Sequence, residues 1–188
     1  TKATPAESGA VLPAFRGVAP DASPRLYAIP KPGEEVVALP LAIVRAVVDG
    51  ADVIVCTTYV EGSTSPMLGD ALEMARRVGR RGRGTAVVFA TGREASSPTG
   101  SVHSSWSLSL GDPASDPRAF CVGPSGRGAG WFFWLDAKKR LRPFANRGPA
   151  VRWLAPGDDL AQPFAEPGRL AHAESSGAAA VAGGALLL

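Results

Sequence analysis

The chain has 188 residues, of which 45% are hydrophobic and 20% are charged. This is enough to bury one sizeable core but too little for two ordinary domains, so we expect a single domain. A formal net charge of +3 is too mild to indicate a nucleic-acid partner. No run reaches the roughly 18 apolar residues that a membrane span needs. Composition therefore predicts a globular domain that binds neither nucleic acid nor membrane.

The cysteine and acidic residues give no sign of a metal or cofactor. Cys56 and Cys121 each lie inside an apolar run, where buried thiols are expected rather than a disulfide. No group of His, Cys, Asp and Glu has the spacing of metal ligands. Asp158 and Asp159 are interpreted as turn residues rather than calcium ligands, so we expect no metal and no cofactor.

The first half of the chain predicts alternating helices and strands. Residues 37–49 are apolar on nearly every side, which predicts a helix packed within the protein and stopped at Gly50. Residues 51–58 and 84–92 are β-branched runs typical of buried parallel strands. Between them, residues 65–81 have helical apolar spacing, with Ser65 as cap and Pro66 in the first turn. A strand, helix, strand unit of this kind predicts an α/β layer architecture.

The second half is more irregular. Residues 93–117 are polar and rich in turn formers, and residues 119–123 predict a third strand. A hairpin is predicted over 130–145, followed by a short strand and turn over 151–160. The small apolar residues of 174–188 predict a helix that can approach neighbouring backbone closely.

The order of these pieces resembles the subtilase family of serine proteases from about Gly17 to the end. In that family a GVAP-type turn precedes a strand, helix, strand series, and the catalytic serine opens a late buried helix. The segments that carry the resemblance are GVAPDASPRLYAI (17–29), AIVRAVVDGADVI (42–54), GTAVVFATGRE (84–94), DPASDPRAFCVG (112–123), RPFANRGPAVRWLAPG (142–157) and ESSGAAAVAGG (174–184). The resemblance implies a three-layer, subtilisin-like α/β fold with a mainly parallel sheet and a buried Ala/Gly-rich late helix. Residues 1–188 would form a single partial domain, the central and C-terminal portion.

The resemblance places Ser175 at the position of the nucleophile. The family has a Gly-Thr-Ser motif before the late helix, and the corresponding residues here are Ala173-Glu174-Ser175. A serine at a helix start suits a nucleophile, because the free N–H groups and the positive dipole end favour an oxyanion. The alternative is that Ser175 only caps the helix. Ser176 is the poorer candidate by alignment.

Two departures from the family pattern predict a damaged site. The family's oxyanion donor is an Asn in an Ala-Gly-Asn turn, and the corresponding turn here is Thr91-Gly92-Arg93. Arg93 is longer and charged, and would need a different approach to reach the attacked carbonyl. Loss of this donor costs roughly 10² to 10³ in kcat, a value taken from subtilisin itself. Glu174 would repel the negative charge of the tetrahedral intermediate.

The partners of the nucleophile are not found in the chain. The family's His-Gly-Thr motif and the earlier Asp are both absent from residues 1–16, so they either precede Thr1 or have been lost. His172 could be proposed as a substitute partner for Ser175, but a loop histidine without a catalytic role is the simpler interpretation. His103 is interpreted as a surface-loop residue. A Ser-His-Asp arrangement cannot be completed within this chain.

Two functions follow from the resemblance. One is an impaired serine endopeptidase, and the other is a pseudoprotease that binds a peptide or protein without cutting it. In either case the ligand would bind as an extended strand, and the resemblance maps its contacts to Thr57, Thr58, Tyr59, Thr91 and Gly92, with Arg93 at the oxyanion position. The sequence does not indicate an oligomeric state or a compartment.

Two further motifs have competing interpretations. The arginines between Arg76 and Arg83 could meet an acidic partner or nucleic acid, although a solvated helix C-terminus favoured by the dipole is simpler. Residues 123–130 are glycine-rich but lack the Lys-Ser/Thr ending and the following helix of a phosphate-binding loop.

Overall fold

The architecture is seen in a computed structural model of the chain. The structure describes residues 17–28, 35–57, 65–92, 113–126, 133–135, 141–143, 145–146, 148–157, 160–161, 170–171 and 174–188. The helices are α1 (Glu35–Val48), α2 (Pro66–Gly82) and α3 (Glu174–Ala185). The strands are β1 (Val53–Cys56), β2 (Ala86–Ala90), β3 (Phe120–Ser125), β4 (Phe133–Leu135), β5 (Leu141–Pro143), β6 (Trp153–Pro156), β7 (Leu160–Ala161) and β8 (Leu170–Ala171).

The central sheet is parallel throughout its four described strands. Their order is β1-β2-β3-β6, and each neighbouring pair is parallel. The register aligns Cys56 with Phe89 and Ala90 with Val122. The pairs β4–β5 and β7–β8 are antiparallel and separate from this sheet. The predicted hairpin is thus confirmed in its paired strands, whereas the β7–β8 pair was not predicted.

Helices cover both faces of the sheet and form three layers. On β2, Val87 and Phe89 point to one face and pack with α1 and α2, while Val88 and Ala90 point to the other. The second face is covered by α3 through Ala178 and its neighbours. The predicted α/β fold, with a parallel sheet and a buried Ala/Gly-rich late helix, is confirmed.

The start of α2 follows the predicted cap. The Ser65 hydroxyl accepts a hydrogen bond from the Leu68 N–H at 3.2 Å, and Pro66 takes the first helical position. Regular helical backbone stops at Gly79, where ψ is 145°. Gly79 can lie directly against Thr85 because it has no side chain.

The prediction that α1 is packed on nearly every side is wrong. Leu39, Ile43 and Val47 are buried against α2 and the sheet, but Val48 is 66% exposed and Leu41 is 54% exposed. A helix that covers one face of a sheet can bury only the side that faces the neighbouring layer. The apolar residues on the outer side of α1 therefore remain at the surface.

Candidate functional site

The carboxyl edge of the parallel sheet gathers the residues that the sequence analysis singled out. Because all four described strands run in one direction, the residues that follow them emerge at the same edge. Thr57 follows β1 and is exposed, whereas Thr91 and Gly92 follow β2 and are buried. In open α/β sheets this edge is where ligands usually bind.

The first turn of α3 lies at this edge beside the end of β1. The Ser176 hydroxyl donates a hydrogen bond to the Thr57 carbonyl oxygen at 2.8 Å. From there α3 runs antiparallel to β1, and Gly183 approaches Val55 so closely that a Cβ at this position would overlap the valine Cγ2. The glycines and alanines of α3 thus allow the close contact between helix and sheet that the sequence predicted.

Ser175 is the second residue of α3 and is only 4% exposed. One helical turn later, the fully buried Ala178 and Ala179 pack in the same cluster as Ala90, the last residue of β2. The hydrogen bond from Ser176 to the Thr57 carbonyl places this first turn of α3, and Ser175 with it, at the carboxyl edge of the sheet. Because α3 begins at Glu174, Ser175 lies in the first turn of the helix.

The turn after β2 is fixed by hydrogen bonds to neighbouring segments. The Thr91 N–H donates to the Val122 carbonyl at 3.1 Å, and the Asn146 side-chain amide donates to the Thr91 carbonyl at 3.0 Å. The Asn146 backbone N–H donates to the Gly92 carbonyl, also at 3.0 Å. Gly92 has a φ of 73°, a conformation that favours glycine. Asn146 therefore holds both residues of the turn.

Asn146 is a residue near this edge that sequence reasoning missed. Asn146 is 3% exposed, and its partner Thr91 lies 55 positions earlier in the chain. The available signal was a polar residue between a predicted strand and the glycine of the FANRG segment. Ser176 was considered only as a weaker nucleophile, whereas its hydroxyl ties α3 to the end of β1.

The predicted ligand-binding positions differ in what they can offer. Thr57 is exposed, and its carbonyl accepts the bond from Ser176. The backbone N–H and the carbonyl of Thr91 both have hydrogen-bond partners within the chain. Thr91 therefore contributes to the edge by fixing the position of Gly92. Thr58, Tyr59, Arg93, His103 and His172 lie outside the described residues. The roles assigned to all of these residues remain predictions.

Among the described residues of this edge, the backbone of the first turn of α3 supplies a positive electrostatic potential. The first N–H groups of α3 have no helical partner and carry the positive end of the helix dipole. Ser175 lies among them, where a developing negative charge is favoured. Cys56, one residue before Thr57, is not an alternative nucleophile because burial raises the pKa of its thiol to about 12. Cys56 and Cys121 are both thiols and are not joined in a disulfide, as predicted.

The described ranges contain no cluster of three His, Cys, Asp or Glu side chains that could hold a metal ion. None of the helices in those ranges is long and apolar enough to cross a membrane.

Comparison with solved structures finds the same fold in proteases. The prenylagaramide maturation protease PagA is 24% identical with a TM-score of 0.57, and the match covers 86% of this chain and 52% of that one. A lanthipeptide protease is 18% identical with a TM-score of 0.56, covering 90% of this chain and 56% of the other. The serine protease MycP1, a component of the type VII (ESX-1) secretion system, is 20% identical with a TM-score of 0.55, covering 85% and 49%.

These similarities establish the three-layer fold of the chain as one that proteases use. The chain spans about half the length of the solved structures that it matches. No family model matches the sequence, and no curated protein matches it.

Proposed function

We propose that residues 1–188 are a single partial domain, the central and C-terminal portion of a subtilisin-like serine endopeptidase. Ser175 takes the position of the nucleophile. The observation that carries the proposal is the place of Ser175, in the first turn of the buried helix α3 at the carboxyl edge of a parallel sheet. The shared fold with proteases supports the same assignment.

The substrate would be a peptide or protein bound as an extended strand at this edge. Its backbone would run along Thr57 to Tyr59 and past Gly92, which would bring the scissile carbonyl to the Ser175 hydroxyl. Attack by Ser175 would leave negative charge on the carbonyl oxygen, close to the positive end of α3. The proton from the hydroxyl would pass to a histidine oriented by an aspartate, and we place both upstream of Thr1.

The catalytic power of this site would be weak. Arg93 replaces the neutral amide donor of the family, and the carboxylate of Glu174 would stand next to the nucleophile. An oxyanion donor contributes roughly 10² to 10³ in kcat in subtilisin, so its loss impairs the reaction without abolishing it.

A fluorophosphonate probe applied to the intact protein tests this proposal. We expect slow labelling that maps to Ser175, is lost in Ser175→Ala and persists in the matched control Ser176→Ala. Arg93→Asn should raise the rate of peptide hydrolysis on the order of 10²-fold by restoring the donor. Labelling that persists in Ser175→Ala, or that disappears only in Ser176→Ala, would contradict the assignment.

A second candidate is a pseudoprotease that binds the same extended peptide without cutting it. The two charged residues that the resemblance assigns to the reacting centre, Arg93 and Glu174, favour it. Its signature would be saturable peptide binding by the intact protein with neither labelling nor hydrolysis, even in the Arg93→Asn variant. Binding that Ser175→Ala leaves unchanged would support this candidate, and hydrolysis would exclude it.

A further inference from the structure

An open cleft lies between the C-terminal ends of α1 and α2. Its volume is about 840 Å³, within the range of ligand-binding clefts. Asp52, just before β1, and Arg83, shortly before β2, line it, which places the cleft at the amino edge of the sheet. Ser175 lies at the opposite, carboxyl edge, so the cleft is a separate site and does not depend on the proposed peptidase function.

The cleft has an apolar surface formed by both helices. Val48 of α1 is 66% exposed and Val78 of α2 is 57% exposed, and both line the cleft together with the half-buried Met74. Covering exposed aliphatic side chains with an apolar group removes them from water, which is energetically favourable. This surface therefore favours a ligand with an apolar side chain.

The rim of the cleft is positively charged. Arg80, Arg81 and Arg83 line it with one carboxylate, that of Asp52, which gives a net charge of +2. Asp52 is already paired with Arg80, with 2.8 Å between Oδ1 and Nε. Among the described residues, no carboxylate lies within ion-pair distance of Arg81 or Arg83. Two guanidinium groups are thus available to an anionic ligand.

The backbone holds two of these arginines in an unfavourable conformation. Arg80 has φ 52° and Arg81 has φ 59°, in the left-handed region that glycine and asparagine adopt more easily. Gly79 and Gly82 flank them and turn the chain toward β2. Strained positions of this kind are concentrated at binding and catalytic sites, where a particular side chain is needed.

We propose that the cleft binds an acidic peptide segment of a partner protein. A large apolar side chain of the segment would cover Val48 and Val78, and flanking carboxylates would form paired hydrogen bonds with Arg81 and Arg83. Nucleic acid fits less well, because none of the described residues that line the cleft is an aromatic residue on which a base could stack. The apolar surface and the arginine rim therefore suit a protein segment better than nucleic acid.

Fluorescence anisotropy of the intact protein tests this site. The probe is a fluorescein-labelled peptide with a central leucine flanked on both sides by glutamates. We expect saturable binding that weakens about tenfold in Arg81→Asn and again in Arg83→Gln, since each change removes charged hydrogen bonds. Asparagine tolerates the left-handed region, so Arg81→Asn should fold as well as the parent protein.

Matched controls separate this site from general charge attraction. Arg152→Gln removes an exposed arginine just before β6, far along the sheet from the cleft, and should leave the affinity unchanged. Val78→Ser should weaken binding severalfold, as should replacing the leucine of the probe by serine. The proposal is overturned if the probe does not bind, if a glutamine version binds equally well, or if Arg152→Gln has the same effect as Arg81→Asn. If a single-stranded oligonucleotide competes with the probe, and competes equally well in the Val78→Ser variant, the cleft is a nucleic-acid site instead.

Discussion

Asn146 offers the sharpest test of how the turn after β2 is held. Its side-chain amide donates to the Thr91 carbonyl at 3.0 Å, and it is 3% exposed. Its backbone N–H also bonds to the Gly92 carbonyl, but that bond survives any replacement other than proline. Asn146→Ala therefore removes one buried hydrogen bond and leaves the Thr91 carbonyl without that donor.

A buried polar group that loses its partner costs about 1–3 kcal/mol. We expect Asn146→Ala to lower the free energy of unfolding by about 2 kcal/mol, which for a chain of this size lowers Tm by roughly 4–8 °C. Asn146→Asp should cost more, because a carboxylate would face the carbonyl oxygen of Thr91. Both variants should also slow labelling of Ser175, since the Gly92 turn would lose a support.

Urea unfolding followed by circular dichroism measures the loss, with an unchanged m value as the sign that only stability has changed. Arg152→Ala, a change at an exposed position, should stay within about 0.5 kcal/mol of the parent. A loss below 0.5 kcal/mol for Asn146→Ala, or an Asn146→Asp variant as stable as the parent, would refute the contact.

Three further predictions concern the packing of α3, the Cys56 thiol and an ion pair. Gly183→Ala should destabilise by about 1 kcal/mol, because overpacking against Val55 outweighs the helix propensity of alanine. Val55→Ala should relieve the overlap in a double-mutant cycle, and additive effects would contradict the close contact. Cys56, whose thiol pKa is raised to about 12 by burial, should resist iodoacetamide at pH 8 in the folded protein and react on denaturation, as measured by mass spectrometry. Rapid modification of the native protein would show that the thiol is accessible. The hydrogen bond from Arg118 lowers the pKa of Asp116 below its ordinary value of 3.8, so the ionised carboxyl stabilises the fold above that pH. This contribution is lost as pH falls through the lower folded-state pKa. Asp116→Asn should thus be less stable than the parent at pH 7, with the difference narrowing in acid, and a difference that widens in acid would contradict the ion pair.

The sequence predicts the helices and the parallel strands because their signals are local. Ser65 and Pro66 mark the start of α2, and the β-branched runs before Cys56 and Ala90 mark β1 and β2. The short pair β7–β8 has no such signal, because each strand has only two residues and depends on its partner. The strand order of the sheet likewise depends on contacts between distant segments.

The candidate site could be predicted in part. Small residues after Glu174 predict a closely packed helix, and the resemblance to subtilases brings Ser175 to its first turn. The support from Asn146 depends on a partner 55 positions away, which no local pattern reveals. The exposure of the outer side of α1 also depends on which distant segments cover it, so the local pattern did not predict it. Leu41 is apolar and is expected in the core, but no described layer covers it.

The most direct test of the central claim is a crystal structure of the intact protein after prolonged treatment with a fluorophosphonate. We predict phosphorus bonded to Ser175 Oγ, with a phosphoryl oxygen about 3 Å from a backbone N–H group of the first turn of α3. An adduct on another residue, or a Ser175 that points away from the carboxyl edge of the sheet, would contradict the account.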